Sequence, residues 1–439
     1  MPVNFQQALQ QIRQMGGQAV QQQEEMRRLR DEAIKLMVQF TCELDTLQSL
    51  VEQGAAANPA LRCAAPFREC LTDAFPTPAL EGGYTLLAAD GSQINPDRHA
   101  MVEFGAINVG AISMRPGQGQ APQEFVQSQM LFYKDLFTAS GDFLTDDLVA
   151  LKRDLAERQV LAELARKEPG PVVALTDGPL ELFREAKGSR EFEEDFNSYQ
   201  KVLEELAGLG AATAGYVDRP RGDLIVRLLE LIVLQKQGQI DQAGQERPLR
   251  GVYDYHLFDE LKPGERSAVF AIHSKSSSGF TGSLALHFFY LNVGRRDHPY
   301  LSRVEIPRWV AESEPLLNLT HACLLSQARH LGPRPYPYLL HRAHEIAVIT
   351  FDEHDQLENM IVAELRRQGI AVDDRSNKQI AKNASSNHTR SRWMKSKSDA
   401  CSVLERLPAW SDAAFLRPAC LLLVGWCASP SKTVTRFTA

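Results

Sequence analysis

The N-terminal region carries apolar side chains at helical spacing. Phe5, Leu9 and Ile12 lie one helical turn apart, and the pattern resumes after Gly16 and Gly17. The resumed pattern consists of Met26, Leu29, Leu36, Phe40, Leu44 and Leu47. This spacing predicts a short amphipathic helix followed by a long one. We interpret residues 1–80 as a helical packing arm, whose apolar stripe is also a candidate docking or dimerising surface.

Two apolar runs farther along the chain end in a carboxylate followed by a glycine. One run begins at Tyr84 and leads into Asp90, and the other begins at Val172 and leads into Asp177. A helical pattern over 146–167 separates them, and the order strand, helix, strand predicts a parallel pair. Because parallel neighbours end at the same edge of a sheet, we expect both carboxylates at one edge.

The remaining patterns predict a mixed sheet covered by helices, so we expect an α/β fold. We expect returning strands over 100–113 and further strands over 214–218, 264–270, 284–293 and 303–307. We expect helices over 192–208, 223–235, 338–350 and 355–368. The core domain is therefore predicted over 81–382. Residues 383–439 have no clear period and hold three of the seven cysteines, which indicates an atypical or frame-altered tail.

Composition narrows the class of protein. Of the 439 residues 44% are hydrophobic and 23% are charged, which excludes a mostly disordered chain. The net charge of -7 argues against a protein coated in basic charge but is compatible with a nuclease, whose acidic site and basic groove partly cancel. No CxxC pair is present, so neither a zinc site nor a disulfide framework is indicated, and a reducing cytosol is favoured.

Targeting signals and membrane spans are not indicated. The N-terminus lacks the basic and then apolar layout of a signal peptide. The longest apolar run, 419–428, falls short of the roughly 20 residues of a membrane helix. We therefore expect a cytoplasmic protein that does not contact a membrane.

The chemistry expected at the sheet edge is that of a divalent cation. Two carboxylates offer hard oxygen ligands that suit Mg²⁺ or Mn²⁺, and such ions support phosphodiester hydrolysis. A third carboxylate comes from the helix before Asp177, where Glu157 has apolar neighbours on its own face. Glu163 instead faces basic residues and is interpreted as solvated. Asp154 and Glu163 remain open as alternatives to Glu157.

Several short motifs together resemble the NurA family of DNA-end-processing nucleases from Tyr84 to about residue 382. No single motif is specific, but their order and spacing are. The motifs are Ala89-Asp90-Gly-Ser92, Thr176-Asp177-Gly178-Pro-Leu180, Ala214-Gly-Tyr216-Val, Pro263-Gly-Glu-Arg266-Ser267, Phe288-Phe-Tyr290-Leu-Asn292-Val, Arg303-Val-Glu305-Ile-Pro307 and Tyr336-Pro through Ala343-His344-Glu.

The resemblance implies an RNase H-like core, a homodimer and Mn²⁺-dependent cleavage of DNA, with Mg²⁺ as the alternative ion. It implies 5′–3′ exonuclease and single-strand endonuclease activity on DNA ends in double-strand break repair, together with a HerA-type hexameric ATPase. Carried over by position, the metal-site residues are Asp90, Glu157, Asp177 and His344, with Tyr336 beside them. The histidine tilts the preference toward Mn²⁺.

Each assignment has a structural alternative. His344 has apolar neighbours on its helical face and is, without the resemblance, read as a core histidine. Glu305 is interpreted as an ion-pair partner of a neighbouring arginine. Arg266 and Lys275 are candidate phosphate contacts, with a solvated sheet face as the alternative. A second candidate DNA-binding wall, with a charged terminal helix as its alternative, consists of Arg366, Arg367, Arg375, Lys378 and Lys382.

Two other functions compete with a DNA nuclease. One is a noncatalytic DNA-binding adaptor of a translocase, and the other is a ribonuclease with the same two-metal chemistry. The chain contains no GxxxxGK[ST] phosphate loop, so any energy for movement along DNA is expected from a partner.

Overall fold

The centre of the fold is a mixed β-sheet with helices on both faces. The computed structural model describes residues 4–80, 82–182, 189–296, 298–332 and 334–372. These residues all belong to one compact unit, Met1–Asp373. The predicted tail 383–439 and Lys378 lie outside the described residues.

The strands in the described ranges are β1 Cys63–Pro66, β2 Ala74–Phe75, β3 Thr85–Ile94, β4 Gly105–Met114, β5 Gln123–Leu131, β6 Val172–Asp177, β7 Ala212–Val217, β8 Arg266–Ser267, β9 Phe270–His273, β10 Leu286–Asn292 and β11 Leu301–Pro307. These 11 strands form one sheet in the order β1-β9-β10-β11-β7-β6-β3-β4-β5, with β2 and β8 paired off this path. β3, β6 and β7 run parallel to one another, while β4 and β5 return antiparallel beside β3. This arrangement confirms the RNase H-like mixed sheet.

Helices cover the two faces of the sheet with separate apolar cores. The helices are α1 Phe5–Gln39, α2 Leu44–Ala57, α3 Asp146–Ala165, α4 Arg190–Gly208, α5 Leu224–Lys236, α6 Arg308–Glu312, α7 Glu314–Ala328, α8 Tyr338–Ala347 and α9 Phe351–Arg367. Helices α1 to α5 share a core with one face, to which β3 contributes Leu87 and Ala89. Helices α6 to α8 pack on the other face, to which β3 contributes Leu86 and Ala88. Alternate residues of β3 therefore point to opposite cores.

The N-terminal helices differ from the prediction. Helix α1 runs without a break through Gly16 and Gly17, whose added Cβ atoms would meet nothing within 4 Å. A helical glycine costs only about 1 kcal/mol relative to alanine, so the pair does not end the helix. The break falls instead between α1 and α2. The C-terminal half of α1 is anchored by buried residues such as Leu36, whereas Phe5, at the other end, is 75% exposed.

Strand β3 also extends beyond the predicted end. It continues through Asp90 to Ile94, because residues 90–94 pair in register with β4. Asp90 therefore lies within a strand rather than in a turn after it. The parallel partner β6 does end at Asp177, as predicted.

The cysteines also depart from the expectation. Cys42 and Cys70 form a disulfide, which the cysteine pattern of the sequence did not indicate. The pair is brought together by tertiary contacts around it, since the amide of Leu71 donates to the carbonyl of Thr41 at 2.8 Å. The spacing of the cysteines along the sequence does not reveal that Cys42 and Cys70 lie close together. Within the described part of the chain, no helix combines the length and apolar character needed to cross a membrane.

Candidate active site

The two predicted carboxylates lie side by side on neighbouring parallel strands. Ala89 of β3 pairs with Thr176 of β6, so the next residue on each strand is Asp90 and Asp177. Both side chains point to the α8 face, because Ala88 and Leu175, two positions earlier, belong to that core. Burial raises the pKa of Asp177, and the negative charge of Asp90 raises it further. The carboxylates are thus close enough to repel each other.

Tyr336, just before α8, and His344, in the last turn of α8, bind these carboxylates. The Nδ1 atom of His344 lies 2.7 Å from Oδ2 of Asp90. The hydroxyl of Tyr336 donates to Oδ1 of Asp177 at 2.9 Å. The side chain of His344 is 61% exposed, so its interpretation as a core histidine is wrong. Burial raises the pKa of Tyr336, and the charge of Asp177 raises it further, so the phenol remains a hydrogen-bond donor.

Helix α3 brings a third carboxylate to the opposite face of β3. Glu157 is 3% exposed, which confirms that it lies on the packed face, whereas Glu163 is exposed. A Cβ at Gly91 would lie 2.8 Å from Oε1 of Glu157, so this carboxylate approaches the backbone next to Asp90. Asp154, the other alternative, is also buried but bonds Arg153 at 2.9 Å.

Burial raises the pKa of Glu157 from 4.5 to about 8, despite two arginines that lower it. The first is Arg158, whose Nη1 donates to Oε2 of Glu157 at 2.6 Å. The second is Arg153, whose Nε lies 3.5 Å from Oε1. The charges of Asp154 and Asp90 act in the opposite direction and raise the pKa. Burial therefore favours the protonated form of Glu157 more than it is favoured in an exposed glutamate.

Arg158 is a residue of this region that was not predicted from the sequence. This residue is 3% exposed, its Nη2 donates to Oγ1 of Thr176 at 3.2 Å, and its guanidinium lies 5.3 Å from the centre of the Tyr199 ring. It thus connects Glu157 to the strand that carries Asp177. An arginine next to a glutamate on a charged helix looks like a solvated pair, so the sequence contains no signal for this role.

Glu305 has the structural role that was predicted. It is fully buried, and Nη2 of Arg303 donates to its Oε1 at 2.7 Å. Its other oxygen accepts the backbone N–H groups of Leu180 at 2.9 Å and Glu181 at 3.2 Å. Glu305 therefore fixes the chain just after Asp177.

The donor types at this edge suit a divalent cation. Two carboxylates and an imidazole are ligands of Mn²⁺, and a cation would relieve the repulsion between Asp90 and Asp177. In the ranges that the structure describes, no three His, Cys, Asp or Glu side chains converge closely enough to hold a metal ion. The acidic side chains bond instead to neighbouring donors such as His344 and Tyr336.

The residues predicted to contact DNA have different environments in the structure. Arg266 cannot serve as a surface contact, because it is 3% exposed, bonds Glu69 at 2.8 Å and lies 3.9 Å from the centre of the Phe75 ring. Lys275 is exposed after β9, and its role stays a prediction. In the basic cluster, Arg367 bonds Glu364 at 2.6 Å, and Lys378 lies outside the described residues.

No curated protein matches the chain. Similar solved structures include the NurA nuclease from Sulfolobus solfataricus, with 13% identity and a TM-score of 0.43 over 78% of this chain and 98% of that chain. The catalytic domain of human endonuclease V has 15% identity and a TM-score of 0.32 over 72% of this chain and 98% of that chain. Drosophila Piwi has 12% identity and a TM-score of 0.27 over 60% of this chain and 29% of that chain.

The family comparison covers the part of the chain that builds the site. The NurA domain model matches residues 84–349, which is more than half of the 439 residues. This match extends from the start of β3 to just beyond α8 and includes Asp90, Asp177 and His344. The chain therefore belongs to the NurA family.

Proposed function

We propose that the protein is a metal-dependent DNA nuclease whose site is the edge formed by β3, β6 and α8. The observation that carries the proposal is the parallel pairing of β3 with β6, which sets Asp90 beside Asp177. Residues in and just before α8 also bond the two carboxylates. His344 bonds Asp90, and Tyr336 bonds Asp177. Membership in the NurA family supports the same conclusion.

Each residue of the site would have a separate role in phosphodiester hydrolysis. Asp90, Asp177 and His344 would hold Mn²⁺ or Mg²⁺, which supplies an activated water and neutralises charge on the scissile phosphate. Tyr336 keeps one oxygen of Asp177 in a fixed direction. Glu157 stays a predicted member of the site, and it lies buried on the opposite face of β3, next to the backbone of Gly91.

The more specific nuclease activity is inferred from membership in the NurA family. We propose 5′–3′ exonuclease and single-strand endonuclease activity on DNA ends in double-strand break repair, with Mn²⁺ preferred because of His344. The sequence has no phosphate loop, so a HerA-type hexameric ATPase would supply movement along the duplex.

A nuclease assay tests this proposal. Wild-type protein with Mn²⁺ or Mg²⁺ should cleave end-labelled DNA, and EDTA should abolish cleavage. Asp90→Asn and Asp177→Asn should each reduce the rate by more than about a hundredfold, since ligands matter more than the groups around them. Glu163→Gln, on the exposed face of α3, is the matched control and should retain full activity.

Other outcomes of that assay would contradict the proposal. Cleavage of RNA in place of DNA would identify a ribonuclease. Binding of DNA without cleavage under any metal would identify an adaptor. Full activity of either aspartate variant would remove the two carboxylates from the mechanism.

The exposed half of α1 is our proposed surface for a second copy of the chain or for the ATPase. Phe5, Leu9 and Ile12 are 75%, 49% and 57% exposed. Deletion of residues 1–52 would not test this surface, because it also removes buried residues such as Leu36 and Leu47. A triple substitution of the three exposed residues by serine should leave folding intact and weaken association in gel filtration. Unchanged mass and unchanged ATPase binding would show that α1 forms neither interface.

A further inference from the structure

A row of polar side chains crosses three strands underneath the end of α8. Ser92 of β3 pairs in register with Asn108 of β4, and Asn108 pairs with Ser128 of β5. Ser92 is two residues from Asp90 along β3, so both point to the same face. The row therefore lies on the α8 side of the sheet, next to the site.

This row binds the last turn of α8. The hydroxyl of Ser92 donates to the carbonyl of Ala347 and accepts the amide of Ile349 at 3.1 Å. The side-chain amide of Asn108 donates to the same Ala347 carbonyl at 2.8 Å. Ser128 in turn donates to Oδ1 of Asn108 at 2.7 Å, which orients the asparagine. Carbonyls at a helix end lack partners within the helix, so the sheet supplies them here.

The strand below is shaped to admit α8 at close range. A Cβ at Gly110 would lie 2.7 Å from the carbonyl oxygen of Ala343 and 2.8 Å from the amide nitrogen of Ala347. Only glycine at this position allows the helix backbone to approach the sheet so closely. Gly110 is also the register partner of Asp90, so the closest approach is level with the site.

We propose that Ser92 and Asn108, oriented by Ser128, are positioning residues that hold His344 against Asp90. His344 is largely exposed, and its ring bonds Asp90 at 2.7 Å. Its location is therefore set by where the last turn of α8 docks. The inference rests on the proposed function for its catalytic consequence, but the docking itself is independent of activity.

The test uses Ser92→Ala and Asn108→Ala, with Ser113→Ala as the matched control. Ser113 is a serine on the same strand as Asn108. Its hydroxyl bonds Glu168 at 2.8 Å, so it lies outside the row. Hydrogen exchange should become faster at residues 344–349 in the first two variants and stay unchanged in the control. In protein with ¹³C-labelled histidine, the His344 ring signal should move toward its position in Asp90→Asn.

A double-mutant cycle adds the catalytic readout. At limiting Mn²⁺, Ser92→Ala and Asn108→Ala should each reduce cleavage about tenfold, as for groups that support a metal ligand. Neither should cause a further loss in a His344→Ala background, because the residue that they position is absent. Equal losses in both backgrounds would overturn the positioning role.

The two proposals fail in different ways. If wild-type protein shows no metal-dependent cleavage, the proposed function fails, and the exchange and ring-signal experiments still decide the positioning role. If the His344 signal is unchanged in both variants, the positioning role is overturned whatever the activity.

Discussion

The two sides of the site are held in different ways. On the α3 side, Glu157 is 3% exposed and bonds two arginines, of which Arg158 is itself buried. On the α8 side, His344 is 61% exposed and bonds Asp90. The α3 side is therefore part of the folded core, whereas the α8 side is placed by docking of a helix end. Substitutions on the first should affect stability, and substitutions on the second should affect activity alone.

The largest effect is expected from Glu157→Ala. Arginine stays charged at any ordinary pH, so at about pH 9, above the pKa of Glu157, this change leaves Arg158 as a buried cation without its nearest carboxylate. We expect a loss of about 3–5 kcal/mol in the free energy of unfolding, measured with urea. Glu163→Ala on the exposed face of α3 should change it by less than about 0.5 kcal/mol. Equal stability of the two variants would show that the α3 side of the site is not held by this buried ion pair.

His344→Ala should act on catalysis and not on stability. We expect the Mn²⁺-supported rate to fall by about 10–100-fold, with a thermal melt close to that of wild type. His341→Ala is the control, because His341 lies one turn earlier on α8 and its nearest ionic partner is Glu345 at 3.5 Å. A large drop in melting temperature with unaltered metal dependence would instead place His344 in the core.

A smaller effect concerns the pH dependence of stability. The pKa of Glu157 is raised by burial to about 8 in the folded protein, above its ordinary value of 4.5. Between these two pH values the folded state binds more protons than the unfolded state, so stability falls as pH rises. Wild type should therefore lose stability relative to Glu157→Gln from about pH 5 to about pH 8. Urea unfolding of both proteins across this range checks the slope, and the opposite slope would mean that Arg158 keeps Glu157 ionised.

The carboxylates on the strands were predictable because their signal is local. An apolar run followed by Asp-Gly occurs twice with a helix between, and this order fixes a parallel pair that brings Asp90 to Asp177. The end of β3 was not predictable, since residues 90–94 are extended by pairing with β4, which is a tertiary contact. Strand β5 was missed for a related reason: it is an edge strand, mostly exposed and rich in glutamine, and shows no apolar alternation.

Features that depend on contacts between residues far apart along the chain could not be predicted from the sequence. The helical pattern in α1 was recognised, but Gly16 and Gly17 were given more weight than their small energetic cost deserves. Arg266 looked like a surface cation because nothing in its neighbourhood along the chain reveals Glu69, its partner 197 residues away. The proposed role of His344 came from the family resemblance, whereas the docking of α8 on Gly110, which places its ring beside Asp90, is visible only in three dimensions.

The central claim is that Asp90 and Asp177 bind one metal site together, and direct measurement of Mn²⁺ binding tests it without reference to any substrate. Electron paramagnetic resonance of free Mn²⁺ would be titrated with wild type, Asp90→Asn, Asp177→Asn and the Glu163→Gln control. We expect wild type and the control to bind Mn²⁺ with equal affinity, and each aspartate variant to bind at least about tenfold more weakly. Equal affinity in all four proteins would contradict the claim.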